Sequence, residues 1–135
     1  MVIDSSALLA IVLGETDSAR YIQSIADGLT RNVGIYVPAS VLIEAGIAAD
    51  ERGCGEELDE LLDKIQPEIV AIDRLIANLA RRTARKFGRG HHPAKLNFGD
   101  CLSYAVAKSL RLPLLFKGNE FSQTDIRPAL SDGEP

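Results

Sequence analysis

Three carboxylates stand alone in apolar surroundings. Asp4 is the only charged side chain between Met1 and Gly14, Glu44 the only one between Val33 and Ala49, and Asp100 the only one between Leu96 and Ala107. The chain carries 19 acidic residues, and most of the others lie in mixed-charge, solvated stretches. A carboxylate in a core segment must be hydrogen-bonded, neutralised or held to a cation. Asp4 and Asp100 each have an ordinary alternative. The first could cap a helix starting at Ser5, and the second could sit in a helical first turn and favour the dipole. Glu44 is harder to dismiss, because it lies mid-helix with Val41 and Ala48 on its face and no polar neighbour there. Oxygen ligands without His or Cys suit Mg²⁺ or Mn²⁺. Such an ion can activate a water and steady the charge developing on a phosphate.

The elements that must position these acids alternate. MVID reads as a short strand, SSALLAIVL as a helix ended near Gly14, and DSARYIQSIADGL as a helix capped by Asp17 and closing near Gly28. VGIYVPA is a second strand, followed by a helix from Pro38 to about Glu51. EELDELLDKIQ is an amphipathic helix, EIVAI a third strand and DRLIANLARRTARKF another helix. The GRGHHPAK loop, the helix NFGDCLSYAVAKSLR and the strand LLF complete the order. Strands alternating with helices predict a mostly parallel sheet covered on both faces. Asp4 then ends the first strand, and Asn119 and Glu120 follow the fourth. The carboxyl ends of parallel strands share one edge, where ligands bind. Glu44 and Asp100 come from helices that leave or approach that edge.

At 135 residues the chain suits one domain over 1–130, with a frayed tail at 131–135. A net charge of −4 argues against a generally basic nucleic-acid coat but leaves room for a local basic surface. Cys54 and Cys101 lack metal-type spacing and read as free thiols. The apolar run at Ala7–Leu13 is too short to span a membrane, and no basic leader precedes it, so a cytoplasmic protein is expected.

The blocks MVIDSSALLAIVLGE, PASVLIEAGIAAD and LNFGDCLSYAVAKSLRLPLLFKGNEFSQTDI together resemble a PIN domain, close to the VapC toxins of bacterial VapBC toxin–antitoxin modules. The likeness covers nearly the whole chain in order, and the last block is its most specific part. It implies an α/β, three-layer α/β/α fold with a central, mostly parallel sheet, and a metal-dependent endoribonuclease. The family's three acids fall on Asp4, Glu44 and Asp100, with Asp4 and Asp100 as the usual Mg²⁺ ligands. Ser6 matches a small hydroxyl residue that supports the first acid. Where the family often has Gly-Asp-Asp-Phe, this chain has Gly118-Asn119-Glu120-Phe121. Asn119 can orient water or phosphate but cannot act as a base, and Glu120 or Asp125 could supply an outer-shell charge.

The densest basic region is Arg81, Arg82, Arg85, Lys86, Arg89 and Lys95, with His91 and His92 among them. It could be a solvated helix face or a rim that receives an RNA backbone. Little aromatic stacking potential is expected near it. Lys117 could also face a phosphate. The resemblance further implies a homodimer and a VapB-like antitoxin, whose C-terminal segment could dock between helices Ser5–Leu13 and Glu56–Gln66. Two other readings compete. One is a catalytically weak PIN-like module that binds RNA or an antitoxin, motivated by Asn119. The other is a receiver- or phosphatase-like domain with Asp4 and Lys117 at strand ends, which lacks the paired acids those sites need.

Overall fold

The computed structural model describes residues 1–130, so the expected frayed tail lies outside the described residues. Four short apolar runs become parallel strands: β1 (Val2–Ile3), β2 (Tyr36–Pro38), β3 (Glu68–Val70) and β4 (Leu114–Leu115). Their order is β3-β2-β1-β4, with Val2 beside both Tyr36 and Leu114, and Ile3 beside Leu115. Successive strand residues point to opposite faces. Val2 and Leu114 therefore enter one core, while Ile3, Val37 and Leu115 enter the other.

Helices α1 (Ser5–Val12), α2 (Ser18–Thr30), α3 (Ala39–Glu51) and α4 (Gly55–Ile65) build the core on the Ile3 side. Helices α5 (Arg74–Phe87) and α6 (Phe98–Leu110) build the other. The parallel sheet covered on both faces that the alternation predicts, and the three-layer α/β/α fold that the resemblance implies, are what is observed. Helix α6 is buried without a break from Cys101 to Ala107, which fits its apolar sequence on all sides.

Some local expectations need correcting. The strands are shorter than their apolar runs. β3 stops at Val70 because it is the edge strand, with Ile69 44% exposed. Helix α2 ends at Thr30, near Gly28 as expected, but Gly28 is not what stops it. Gly28 instead permits a close approach, since a Cβ there would lie 2.9 Å from the Met1 side chain. Asp17 precedes α2 without capping it. Its carboxylate accepts from Lys117 Nζ at 3.0 Å and from the Tyr21 hydroxyl at 3.2 Å.

The sheet order places the functional edge. β1 has β2 on one side, where the chain runs on to β3, and β4 on the other, reached when the chain crosses back from β3. That reversal opens a crevice at the carboxyl ends of β1 and β4. Asp4 follows β1 there, and its amide donates to Leu115 O at 2.9 Å, joining it to the end of β4. No helix among the described residues is long and apolar enough to cross a membrane.

Candidate active site

Among the described residues four polar side chains are buried, and three of them, Asp4, Ser5 and Ser103, meet at this crevice. Asp4 is 3% exposed. Its Oδ2 accepts from the Ser6 amide at 3.1 Å and the Ser6 hydroxyl at 2.6 Å, and its Oδ1 accepts from the Ser103 hydroxyl at 2.6 Å. The ordinary reading and the functional one hold together here, because Asp4 caps α1 with the same carboxylate. Every one of these donors is neutral. Ser6 Oγ in turn accepts from the Lys117 amide at 3.0 Å, which ties the loop after β4 to the first acid.

Asp100 arrives from α6, one turn before Ser103. It closes a capping box: Asn97 Oδ1 accepts from the Asp100 amide at 2.8 Å, and Asp100 Oδ2 accepts from the Asn97 amide at 3.0 Å. Asp100 Oδ1 accepts no hydrogen bond among the described residues. The carboxyl is pushed up to about 6, first by burial, and further by the negative charges of Asp4, Glu120 and Glu44. Four acids therefore act on one another at this edge.

Glu44 crosses from α3. Its Oε1 accepts from the Ser5 hydroxyl, and its Oε2 occupies the space a side chain on Gly99 would need. The helix face around it is not the buried one expected from Val41 and Ala48. Glu44 is exposed, and it stands between Ile43 and Ile47, 64% and 55% exposed. Helix rotation explains this, because Val41, Ala45 and Ala49 take the core-facing side.

Comparisons with known proteins give the family. The PIN domain family profile matches residues 1–127. This chain belongs to the PIN-domain family. Ribonuclease VapC28 of Mycobacterium tuberculosis is 40% identical to it over 134 residues, covering 96% of this chain and 98% of that protein. Ribonuclease VapC of Mycolicibacterium smegmatis is 42% identical over 128 residues, covering 93% and 97%. Two solved structures share the fold at a TM-score of 0.68. They are a toxin–antitoxin complex from Klebsiella pneumoniae, with 15% identity and 92% of each chain covered, and Mycobacterium tuberculosis VapC20, described as a sarcin–ricin-loop-cleaving toxin, with 16% identity and 94% and 98% covered.

Within this PIN domain the other expected residues separate. Gly118 has φ +110, and the Glu120 carboxylate folds back over it. Glu120 is thus the loop acid within electrostatic reach of Asp100, while Asn119 is exposed and its carbonyl accepts from the Ser122 hydroxyl at 2.8 Å. Asp125 is set apart from the acids. It accepts from the Tyr104 hydroxyl and pairs with Lys108 Nζ at 2.9 Å. Lys117 does not face the acid cluster either, because its ammonium pairs with Glu15 and Asp17.

The six basic residues do not form one surface. Arg81, Arg85 and Arg89 line a groove between α5 and the start of α6, whereas Arg82 and Lys86 face the opposite side of α5 with Lys108. Lys95 is exposed in the loop and lines neither. Phe98 also lines the first groove and is 85% exposed, contrary to the expectation of little aromatic surface there. Ser5, Ser103, Gly99 and Phe98 were all missed in the sequence reading. Ser103 carried a usable signal, a polar residue in the otherwise apolar helix segment CLSYAVA.

The arrangement fits a divalent cation. The available ligands are all oxygens, and among the described residues no cationic side chain is set among the mutually repelling acids. Among the described residues no three His, Cys, Asp or Glu side chains form a ready-made cage, so water must complete any metal shell. Asp4 and Asp100 are the residues that would hold the ion.

Proposed function

We propose that this PIN domain is a metal-dependent endoribonuclease, the toxin of a type II toxin–antitoxin pair, that hydrolyses RNA phosphodiester bonds. One observation carries the chemistry: Asp4, Glu44 and Glu120 gather around Asp100, whose carboxyl is driven upward first by burial and then by their charges, with no basic partner in the cluster among the described residues. Relatives at about 40% identity that carry the name ribonuclease support the reaction class. A bound Mg²⁺, with Mn²⁺ as a substitute, supplies electrostatic stabilisation of the phosphate and an activated water. Ser103 and Ser6 hold Asp4 in one orientation. The Asn97 box holds Asp100 and leaves Oδ1 free to face a ligand. Ser5 aims Glu44, which positions a water or takes its proton. Glu120 contributes outer charge in the place where Asn119 cannot.

The proposed partners are an RNA substrate, a VapB-like antitoxin and a second copy of the chain, in the cytoplasm. The neighbouring exposed side chains of Ile43 and Ile47 support a homodimer. Partly buried Leu9, Val12, Leu61 and Leu62 on α1 and α4 support antitoxin docking there, although Leu8, Leu58 and Ile65 on the same helices are core.

Purified protein free of its partner should cleave RNA when Mg²⁺ is added. Asp4→Asn or Asp100→Asn should lower the rate by roughly two orders of magnitude or more, the several kcal/mol a catalytic metal contributes. Both substitutions keep a capping side chain, so the fold should persist by circular dichroism. Full activity in both variants would overturn the assignment.

A further inference from the structure

Lys117 is the one basic residue between Arg111 and Arg127, and so the one cation on the segment that carries Glu120. Its backbone belongs to the candidate site. The Lys117 amide donates to Ser6 Oγ at 3.0 Å, and the Ser6 hydroxyl donates to Asp4 Oδ2 at 2.6 Å. Glu120, three residues on, is one of the charges acting on Asp100. A lysine has a flexible four-carbon stem and a compact ammonium. At this point of the chain it is placed to neutralise the acids to which a divalent cation would bind.

The ammonium is instead led away from them. It pairs with Glu15 and with Asp17, the latter at 3.0 Å. Both carboxylates are themselves held. Gly14, at φ +62, turns the chain after α1, and the Glu15 amide donates to Ala10 O at 3.0 Å. The Tyr21 hydroxyl donates to Asp17 Oδ2 at 3.2 Å, which leaves Oδ1 to Lys117. Asp17 does not cap α2, so capping does not account for its acid. A single partly exposed pair holds weakly. Two carboxylates on one ammonium hold it against the competing charge of the acid cluster.

We propose that Glu15 and Asp17 are positioning residues that keep the Lys117 ammonium out of the acid cluster, so that the cluster's charge stays available to a divalent cation. The inference rests on the metal-dependent reading above and adds to it two residues that act on the metal only through Lys117.

The test is isothermal titration calorimetry of Mn²⁺ into the full chain without RNA. It is run in about 0.15 M salt, where fields from further than roughly 8 Å are largely screened. Glu15→Gln combined with Asp17→Asn frees the ammonium and should weaken Mn²⁺ binding about tenfold. Glu15→Gln alone leaves Asp17 in place and should weaken it by about threefold or less. Lys117→Met keeps the length of the stem without its charge, and alone it should change the affinity by less than about twofold. Added to the double variant, Lys117→Met should bring the affinity back to within about twofold of wild type. Because the pairs are partly exposed, all these variants should melt close to wild type. A purely structural clamp predicts the opposite pattern, in which Lys117→Met does as much damage as the double substitution and rescues nothing. That result overturns the proposal. The two readings fail separately. If neither wild type nor Lys117→Met binds Mn²⁺, the metal-dependent reading falls and this inference with it. Mn²⁺ binding that is indifferent to Glu15 and Asp17 overturns the inference alone.

Discussion

Two aspartates meet helix α6 in opposite surroundings. Asp100, in its first turn, is pushed up to about 6, first by burial and then by its charged neighbours Asp4, Glu120 and Glu44. Asp125 lies alongside the same helix further on, where the Tyr104 hydroxyl and then Lys108 hold its carboxyl below the usual range. The chain provides Asp125 with its own cation and hydroxyl, and that carboxylate is fully accounted for as structure. It provides Asp100 with a half-made hydrogen-bond set and more negative charge. An acid whose repulsion is left unbalanced by its own chain is suited to a cation from outside, as the proposed function requires. Residue type does not separate the two positions, but burial among like charges at Asp100 and a hydroxyl with a cation at Asp125 do.

The comparison breaks most sharply on metal addition. Mg²⁺ or Mn²⁺ should raise the melting temperature of the wild-type protein. The gain is roughly 2.7 kcal/mol when the ion is a hundredfold above its dissociation constant. Asp100→Asn should abolish that gain, while Asp125→Asn should keep it in full. Differential scanning fluorimetry across a metal titration reads both. An equal metal response in the two variants would remove the distinction drawn between them.

A smaller effect lies in pH, and there the two carboxylates differ in sign. In metal-free protein the raised Asp100 value means that the folded state holds the proton more tightly than the unfolded one. Its contribution is present below about 3.8 and is lost as pH rises through about 6. Wild type should therefore lose stability relative to Asp100→Asn across that window. Asp125 runs the other way. Its lowered value contributes stability above the unfolded range, lost as pH falls through the folded value. Half-exposure of the Lys108 pair keeps that contribution under about 1 kcal/mol. Urea unfolding of both Asn variants and wild type at several pH values, in EDTA, gives the two slopes. Slopes of the same sign would contradict the assignment of neighbours.

The sequence made part of this legible. Asp4, Glu44 and Asp100 stood out because isolation among apolar residues is visible in the chain itself, and the structure brings Asp4 and Glu44 within electrostatic reach of Asp100; the strand–helix alternation was enough for the layers. Strand lengths were not readable, since they depend on where each ladder loses its neighbour, as β3 does at the edge. Asp125 misled because distance along the loop after Gly118 does not show that Tyr104 and Lys108 capture it. Phe98 misled in the opposite direction. An apolar residue opening an apolar helix reads as core, and only the placement of α6 against α5 leaves it facing out. Ser103 was within reach, but a serine in a helix can bond its own backbone, so a lone hydroxyl signals less than a lone carboxylate.

Gly99 was beyond sequence reasoning altogether, and it sharpens the comparison most finely. In the first turn of a helix a glycine reads only as a weak helix former. Its role comes from α3, whose Glu44 carboxylate occupies the space a Cβ would need. Gly99→Ala must therefore move Glu44, because the backbone of α6 is fixed by the Asn97 box and by its buried middle. Helix propensity favours alanine by up to about 1 kcal/mol, so the fold should be no less stable. The cleavage rate should nonetheless fall by roughly tenfold, the scale of a displaced acid–base or water-positioning group. Moving Glu44 also takes one negative neighbour from Asp100, so the metal-free pH window of Asp100 should shift downward. A double-mutant cycle with Glu44→Gln separates this from a general disturbance. If Gly99 acts through Glu44, the two substitutions together should cost little more than the larger one alone. Fully additive losses would mean that Gly99 matters for some other reason, and that Glu44 does not depend on the space it leaves.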